Sequence, residues 1–236
     1  MNMKRMMMVW VMILCLVPLG GWAEKEKEGI QLIDPKVRSA AEDLSSYGYD
    51  VPESVQGDVA EWYHEILEEL GNNPFFIGMY EKPEYLRFML LWNCGAGIYD
   101  YDTGHWTPTS DKVYAFDAEV FDIEHMYTLF LMGVQSIVQD ITITDITEDL
   151  AGMNEELDGT RSVSFLCNGH TYRAELTSMG DWIDGSILPF MNQVLEQENC
   201  QYRLFEIQDP YDQMIILIYD TPGKAVQMKM FVDYRR

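Results

Sequence analysis

Ser162-Val163-Ser164-Phe165-Leu166-Cys167-Asn168-Gly169-His170-Thr171-Tyr172-Arg173-Ala174-Glu175-Leu176-Thr177 carries the strongest local folding signal in the chain. Two runs of alternating apolar and polar residues flank Asn168-Gly169. A two-residue loop of type I′ needs positive φ at both central positions, and Asn-Gly meets that need best. The segment therefore reads as an antiparallel hairpin, with Ser162–Cys167 and His170–Thr177 as its strands.

Further strands are expected on both sides of this hairpin. Ile98–Asp102 and Lys112–Ala118 read as two strands joined by a polar loop. Ile141–Thr144 alternates. Tyr202–Ile207 and Met214–Tyr219 flank Asp209-Pro210, and Ala225–Val232 alternates as a last strand. Between them lie two helices. The first has Asp122 as its cap and runs to about Val138. The second has Ser186 as its cap, Pro189 in its first turn, and an end near Asn199.

The N-terminal part reads differently. Asp34-Pro35 is an N-cap followed by proline at the first helical position, and Val37, Ala40, Ala41 and Leu44 share one face of the helix that follows. A second helix begins near Pro52, with Val55, Val59, Trp62, Ile66 and Leu70 recurring every three or four residues. Gly71-Asn72-Asn73-Pro74 supplies its stop. Pro83–Trp92 is apolar nearly all round and is expected to be a central buried helix.

Hairpins dominate and no strand–helix–strand series sustains a parallel sheet. The fold class is α+β: a mainly antiparallel sheet with helices packed on one face, preceded by N-terminal helices. Hairpin, helix and strand follow one another over residues 98–146 and again over 162–207, which makes a duplicated ββαβ unit a candidate architecture. Tyr114 and Tyr172 stand at equivalent places before the two helices.

Residues 1–23 read as a secretory signal peptide. Lys4 and Arg5 form a positive head, Met6–Leu19 is apolar, and Gly20-Gly21-Trp22-Ala23 places small residues before Glu24. Cleavage is expected between Ala23 and Glu24. The apolar run is shorter than the roughly 20 residues that span a bilayer. Cys15 follows Leu14 inside that run, which is not a lipidation site, so no stable membrane anchor is expected after cleavage. Residues 24–33 form a charged linker. Residues 34–236 form one α+β domain, mainly helical over 34–96 and sheet-rich over 97–236. The expected location is extracytoplasmic, secreted or periplasmic.

Removing Lys4 and Arg5 leaves 14 basic residues against 39 acidic ones, a formal charge of −25. A phosphate backbone is repelled by such a chain, so no nucleic-acid partner is expected. A basic protein or peptide is attracted. Cys94, Cys167 and Cys200 remain after cleavage, an odd count without the spacing of a zinc site. Cys94 reads as a buried thiol, and Cys167 and Cys200 are left open as a pair. No cofactor motif is present: Gly95-Ala96-Gly97 is a strand-leading turn.

Candidate chemical groups are few. His105 stands beside Trp106 in Asp100-Tyr101-Asp102-Thr103-Gly104-His105-Trp106, a loop that suits a cleft or a hairpin tip. Asp181 and Asp184 flank Trp182 and resemble a glycosidase pair in kind only. Capping of the helix after Ser186 is the simpler role. His64, His125 and His170 read as surface residues. Asp100, Asp102 and Asp111 have EF-hand-like spacing, but His105 occupies the obligatory glycine position and the flanks read as strands, so turn chemistry is preferred over a calcium loop. The expected function is a non-catalytic binding or interaction module. The alternatives are a secreted hydrolase using carboxylates or His105, and an acidic inhibitor or immunity-type protein for a basic partner.

Overall fold

Asp34 opens the first helix, α1 (Pro35–Ser46): its Oδ1 accepts the Lys36 N–H at 2.7 Å, and Pro35 takes the first helical position, where a missing N–H costs nothing. The structure is a computed structural model and describes residues 33–70, 77, 78, 80–100, 105–208 and 213–234. The signal peptide over 1–23, nearly all of the linker, the helix stop at 71–74, Asp102 and the turn at Asp209-Pro210 lie outside the described residues.

Two further helices follow, α2 (Glu53–Leu70) and α3 (Pro83–Gly95). As its all-round apolarity requires, α3 is buried on nearly every side, through Tyr85, Leu86, Phe88, Met89, Leu90 and Leu91. It packs against α1, α2 and strand β3 (Val113–Asp117).

Strand β3 belongs to a central antiparallel sheet of order β3-β8-β7, with β7 over Arg203–Gln208 and β8 over Met214–Asp220. Met214-Ile215-Ile216-Leu217-Ile218 is apolar without alternation because both faces of this sheet are covered. Met214, Ile216 and Ile218 join the core formed with α1–α3 and with α6 (Pro222–Phe231). Ile215 and Leu217 join a second core on the other face. That second core holds α4 (Met126–Ile137) and α5 (Ile187–Gln197). Beyond these two helices lies an outer antiparallel sheet of order β4-β5-β6, comprising Ile143–Met153, Asp158–Cys167 and His170–Met179. Val163, Phe165, Cys167, Ala174 and Leu176 point inward from it. A short hairpin of β1 (Ile98–Asp100) and β2 (His105–Thr107) completes the described strands. The class is α+β with antiparallel sheets.

The expected hairpin is present: Cys167 pairs with His170, Asn168 has φ 49° and Gly169 φ 84°. Its tip is tied to the end of α5. The Glu198 carboxylate accepts hydrogen bonds from Tyr172 Oη (2.5 Å) and Asn168 Nδ2 (3.1 Å), with His170 Nδ1 at 2.9 Å. The Tyr172 hydroxyl holds the Glu198 carboxyl below the usual carboxylate range; burial opposes this, and His170 and Asn168 assist it. A depressed folded value means stability that is present above the unfolded value of 4.5 and is lost as pH falls through the folded one. Glu198→Gln is therefore expected to melt lower than the parent near neutral pH and to lose less on acidification to about pH 3. Thermal melts across that range decide it: identical acid slopes for the two proteins would remove Glu198 from the linkage.

Several expectations are corrected. Ala225–Val232 is not a strand: Ala225–Phe231 is the body of α6 and Val232 its C-cap, and Thr221 caps the other end by accepting the Lys224 N–H at 3.3 Å, with Pro222 at the first position. Ile98–Asp100 pairs with His105–Thr107 rather than with residues 112–118, and β3 pairs instead with β8 as an edge strand of the central sheet. Strand β4 extends to Met153, beyond the expected 141–144, through two register shifts and Asp145 at φ 53°. Helix α4 starts at Met126, and Asp122 instead closes the preceding turn by accepting the His125 N–H. Ser186 makes no side-chain cap. Helices on one face describe the outer sheet, whereas the central sheet carries them on both. Hairpin, helix and strand do occur twice in order, with β3 interposed the first time. The strands that close the two series, β4 and β7, lie in different sheets.

Candidate functional site

Arg161 breaks the pattern of its strand. Along β5 the inward positions are Arg161, Val163, Phe165 and Cys167, so a guanidinium occupies what the register makes a core site. It is 1% exposed, paired across from Leu176 on β6. Its Nη1 lies 3.4 Å from Glu148 Oε2, and the Glu148 side chain is itself 5% exposed. The other Glu148 oxygen accepts from the Thr128 N–H and Oγ1, both at 2.8 Å, so this carboxylate also satisfies the first turn of α4. The Tyr127 ring lies against the guanidinium, 5.6 Å from its Cζ.

The pairing leaves the guanidinium under-satisfied. Among the described residues Nη2 meets only the Met153 thioether, at 3.7 Å, a weak acceptor. Nε has no hydrogen-bond partner among the described residues. Buried polar groups are ordinarily satisfied, so an orphan on a buried cation marks a place to look for a ligand.

Above Arg161 lies a cleft of about 470 Å³. One wall comes from the 121–124 segment, which contributes Phe121, Asp122, Ile123 and Glu124, and Tyr99 of β1 stands beside it. The other wall is the end of the β4–β5 hairpin, with Leu150, Met153 and Leu157. Tyr99 and Phe121 meet edge to face at 4.6 Å. Phe121 is 62% exposed and Leu157 38%, so two apolar side chains stand at the mouth. Leu157 owes its place to a turn in which Asn154 Oδ1 accepts the N–H groups of Glu156 and Asp158.

The apolar surface continues past the cleft. Trp182 bridges Glu119 on one side and Met179 on the other, and the Gly180 N–H donates to the Leu157 carbonyl at 3.3 Å. Trp182 and Met179 are exposed at 40% and 54%. The surround is acidic. Asp122 and Glu124 line the cleft, and Glu155, Glu156 and Asp158 are exposed around the Leu157 turn. Asp122 accepts from Tyr99 Oη at 3.3 Å and has His125 Nδ1 at 3.1 Å.

The residues expected to carry chemistry are elsewhere. His105 is exposed on β2 opposite Asp100, while Trp106 turns inward and donates its Nε1–H to the Ala96 carbonyl at 2.9 Å. Neither lines the cleft. Asp184 accepts the Thr177 and Ser186 N–H groups at 2.8 and 2.9 Å. Burial would raise its carboxyl, but these donors outweigh burial and hold it below the usual range. That is a structural capping role. Asp181 takes part through its backbone, its carbonyl accepting the Val120 N–H at 2.8 Å. Asp181 and Asp184 are not in the cleft lining either.

Cys94, Cys167 and Cys200 are buried free thiols. Burial pushes Cys94 and Cys167 up to about 12. Among the described residues no three His, Cys, Asp or Glu side chains group as metal ligands, and no helix is long and apolar enough to cross a membrane. A strand read as Ser162–Cys167 leaves Arg161 just outside it. Extended by one residue, the alternation puts arginine among the inward positions, which was the available signal. No protein-family model, curated protein or solved structure matches the chain.

Proposed function

We propose that this chain is an exported, non-catalytic binding module that captures a basic protein or peptide at the cleft over Arg161. The observation that carries the reading is the exposed apolar mouth, Phe121 and Leu157, set in an acidic surround. Exposed aromatic and aliphatic side chains beside a concave, mostly apolar site favour a partner that buries them. The chain's formal charge of −23 favours cationic partners at long range, and the carboxylates near the cleft favour them at short range. The acidic-inhibitor alternative shares this partner class. Of the groups named for the hydrolase alternative, His105, Asp181 and Asp184 do not line the cleft, and the carboxylates that do are Asp122 and Glu124.

The test titrates the protein with acetyl-Lys-Trp-Lys-amide and follows backbone amide resonances. Residues 121–124, Met153 and Leu157 are expected to shift together and saturably. The affinity should fall about tenfold between roughly 20 and 500 mM salt, as screened charge attraction requires. Phe121→Ser with Leu157→Ser, both at exposed positions, should abolish the shifts without unfolding the protein. Binding that ignores both salt and this double substitution would overturn the reading.

A further inference from the structure

We infer that the captured segment inserts one bulky apolar side chain into the cleft and that its own main-chain carbonyl accepts a hydrogen bond from the Arg161 guanidinium, with Lys or Arg flanking it against Asp122 and Glu124. This inference rests on the reading above and names the chemistry that the site selects.

Three observations converge on it. First, Arg161 is a fixed donor with spare capacity. Five N–H groups sit on its guanidinium. Its polar contacts are the long 3.4 Å approach to Glu148 and the 3.7 Å approach to a thioether, and Nε has no partner among the described residues. The planar fork is held from below by Tyr127 and from the side by Glu148. It is thus pre-organised for an acceptor rather than free to seek one.

Second, the acceptor is neutral. Glu148 already compensates the Arg161 charge at a buried position, and two more carboxylates line the cleft. A carboxylate head group would bring a further negative charge into a site whose cation is spent. A carbonyl oxygen supplies the missing acceptor without that charge. Fatty acids and aromatic acids are disfavoured on the same ground.

Third, the space fits one side chain with its backbone. About 470 Å³ lined by Tyr99, Phe121, Ile123, Leu150, Met153 and Leu157 accommodates an indole or phenyl ring, and methionine adapts to either. The mouth residues Phe121 and Leu157 then clasp the inserted ring, and Trp182 and Met179 extend the contact along the segment.

The experiment keeps the protein unchanged and alters single features of the probe, again reading the amide resonances of the cleft. Acetyl-Lys-Trp-Lys-amide is compared with its analogue carrying a thioamide at the Trp carbonyl, with acetyl-Glu-Trp-Glu-amide, and with N-acetyltryptophan as its free carboxylate. The oxygen probe is expected to bind about tenfold more tightly than the thioamide, the loss anticipated for weakening one hydrogen bond to a buried cation. Both anionic probes should bind more weakly still. In Arg161→Lys, which keeps the charge and removes the fork, the oxygen-to-sulfur ratio should collapse toward one. If that variant does not fold, the ratio in the parent protein still decides.

Equal affinity for the oxygen and sulfur probes would overturn the carbonyl contact while leaving the cleft a peptide site. Tighter binding of N-acetyltryptophan would make Arg161 a carboxylate receptor and likewise overturn it. If no probe shifts the cleft at all, the binding reading itself fails, and the inference with it.

Discussion

Arg161→Leu is expected to destabilise the protein by about 3–5 kcal/mol, because it strands the Glu148 carboxylate in the core. The Glu148 side chain is 5% exposed, and its remaining partners are the N–H and Oγ1 of Thr128. These two donors do not replace a cation in compensating a buried charge. Set against a typical domain stability of about 5–15 kcal/mol, the loss is a large fraction of the whole. The double variant Arg161→Leu, Glu148→Leu removes both charges together. It gives up the capping of α4 by Glu148, about 1 kcal/mol, but no longer buries an unpaired ion. It should therefore recover at least about 2 kcal/mol relative to the single variant. Urea unfolding of the parent, both single variants and the double variant measures this directly. Strict additivity of the two single losses would mean that the 3.4 Å approach carries no coupling.

A buried pair that apolar residues of similar size would replace at little cost is weak evidence for stability as a purpose. At Arg161 the pair is also incomplete, since Nε lacks a partner among the described residues. The stability experiment and the probe series thus address one feature from two sides. The first measures what the pair costs when halved, and the second measures what the guanidinium does with its open donors.

Legibility in the sequence followed how local each determinant is. The Asn168-Gly169 hairpin was readable because positive φ at two consecutive positions is a property of the dipeptide itself. The cap at Asp34 and the burial of α3 were readable for the same reason. Helix α6 was not. Ala225-Val226-Gln227-Met228-Lys229-Met230 alternates like a strand, yet Ala225 and Met228 also lie three apart, on the buried face of a helix. Thr221-Pro222 breaks the tie, as an N-cap and first-position pair. Double-sided burial of the central sheet depends on which elements return to cover it, which no local pattern states. The cleft joins β1, the 121–124 segment and the β4–β5 turn, pieces far apart in sequence. His105 was singled out because histidine beside tryptophan is conspicuous in a sequence. In space the tryptophan turns inward and the histidine does not follow it.

Gly133→Ala is expected to cost at least about 2 kcal/mol, although alanine is the better helix former by about 1 kcal/mol. The sign is set by what faces residue 133. Helix α4 lies so close to β3 that a Cβ at this position would come within 2.2–2.4 Å of the Cζ, Cε2 and Cε1 atoms of Tyr114. The ring cannot move aside. It is 5% exposed, lies 5.1 Å from Phe116 and 6.3 Å from Phe130, and meets Trp106 edge to face at 5.5 Å. The clash therefore separates α4 from the central sheet or forces the ring off its rotamer, and overpacking of this kind typically costs 1–3 kcal/mol or more, which outweighs the roughly 1 kcal/mol propensity gain. Tyr114→Leu alone should also destabilise, by leaving a cavity and removing the 3.4 Å hydrogen bond to the Leu129 carbonyl. Combined, the two substitutions are complementary: the smaller side chain vacates the space that the new methyl needs. The double variant is expected to be about 2 kcal/mol more stable than the sum of the single losses predicts. Because Trp106 pairs with Tyr99 across the β1–β2 hairpin, the same displacement should shift the Tyr99 amide resonance in Gly133→Ala and restore it in the double variant. A Gly133→Ala protein as stable as its parent, with Tyr99 unmoved, would show that α4 does not rest on the Tyr114 ring.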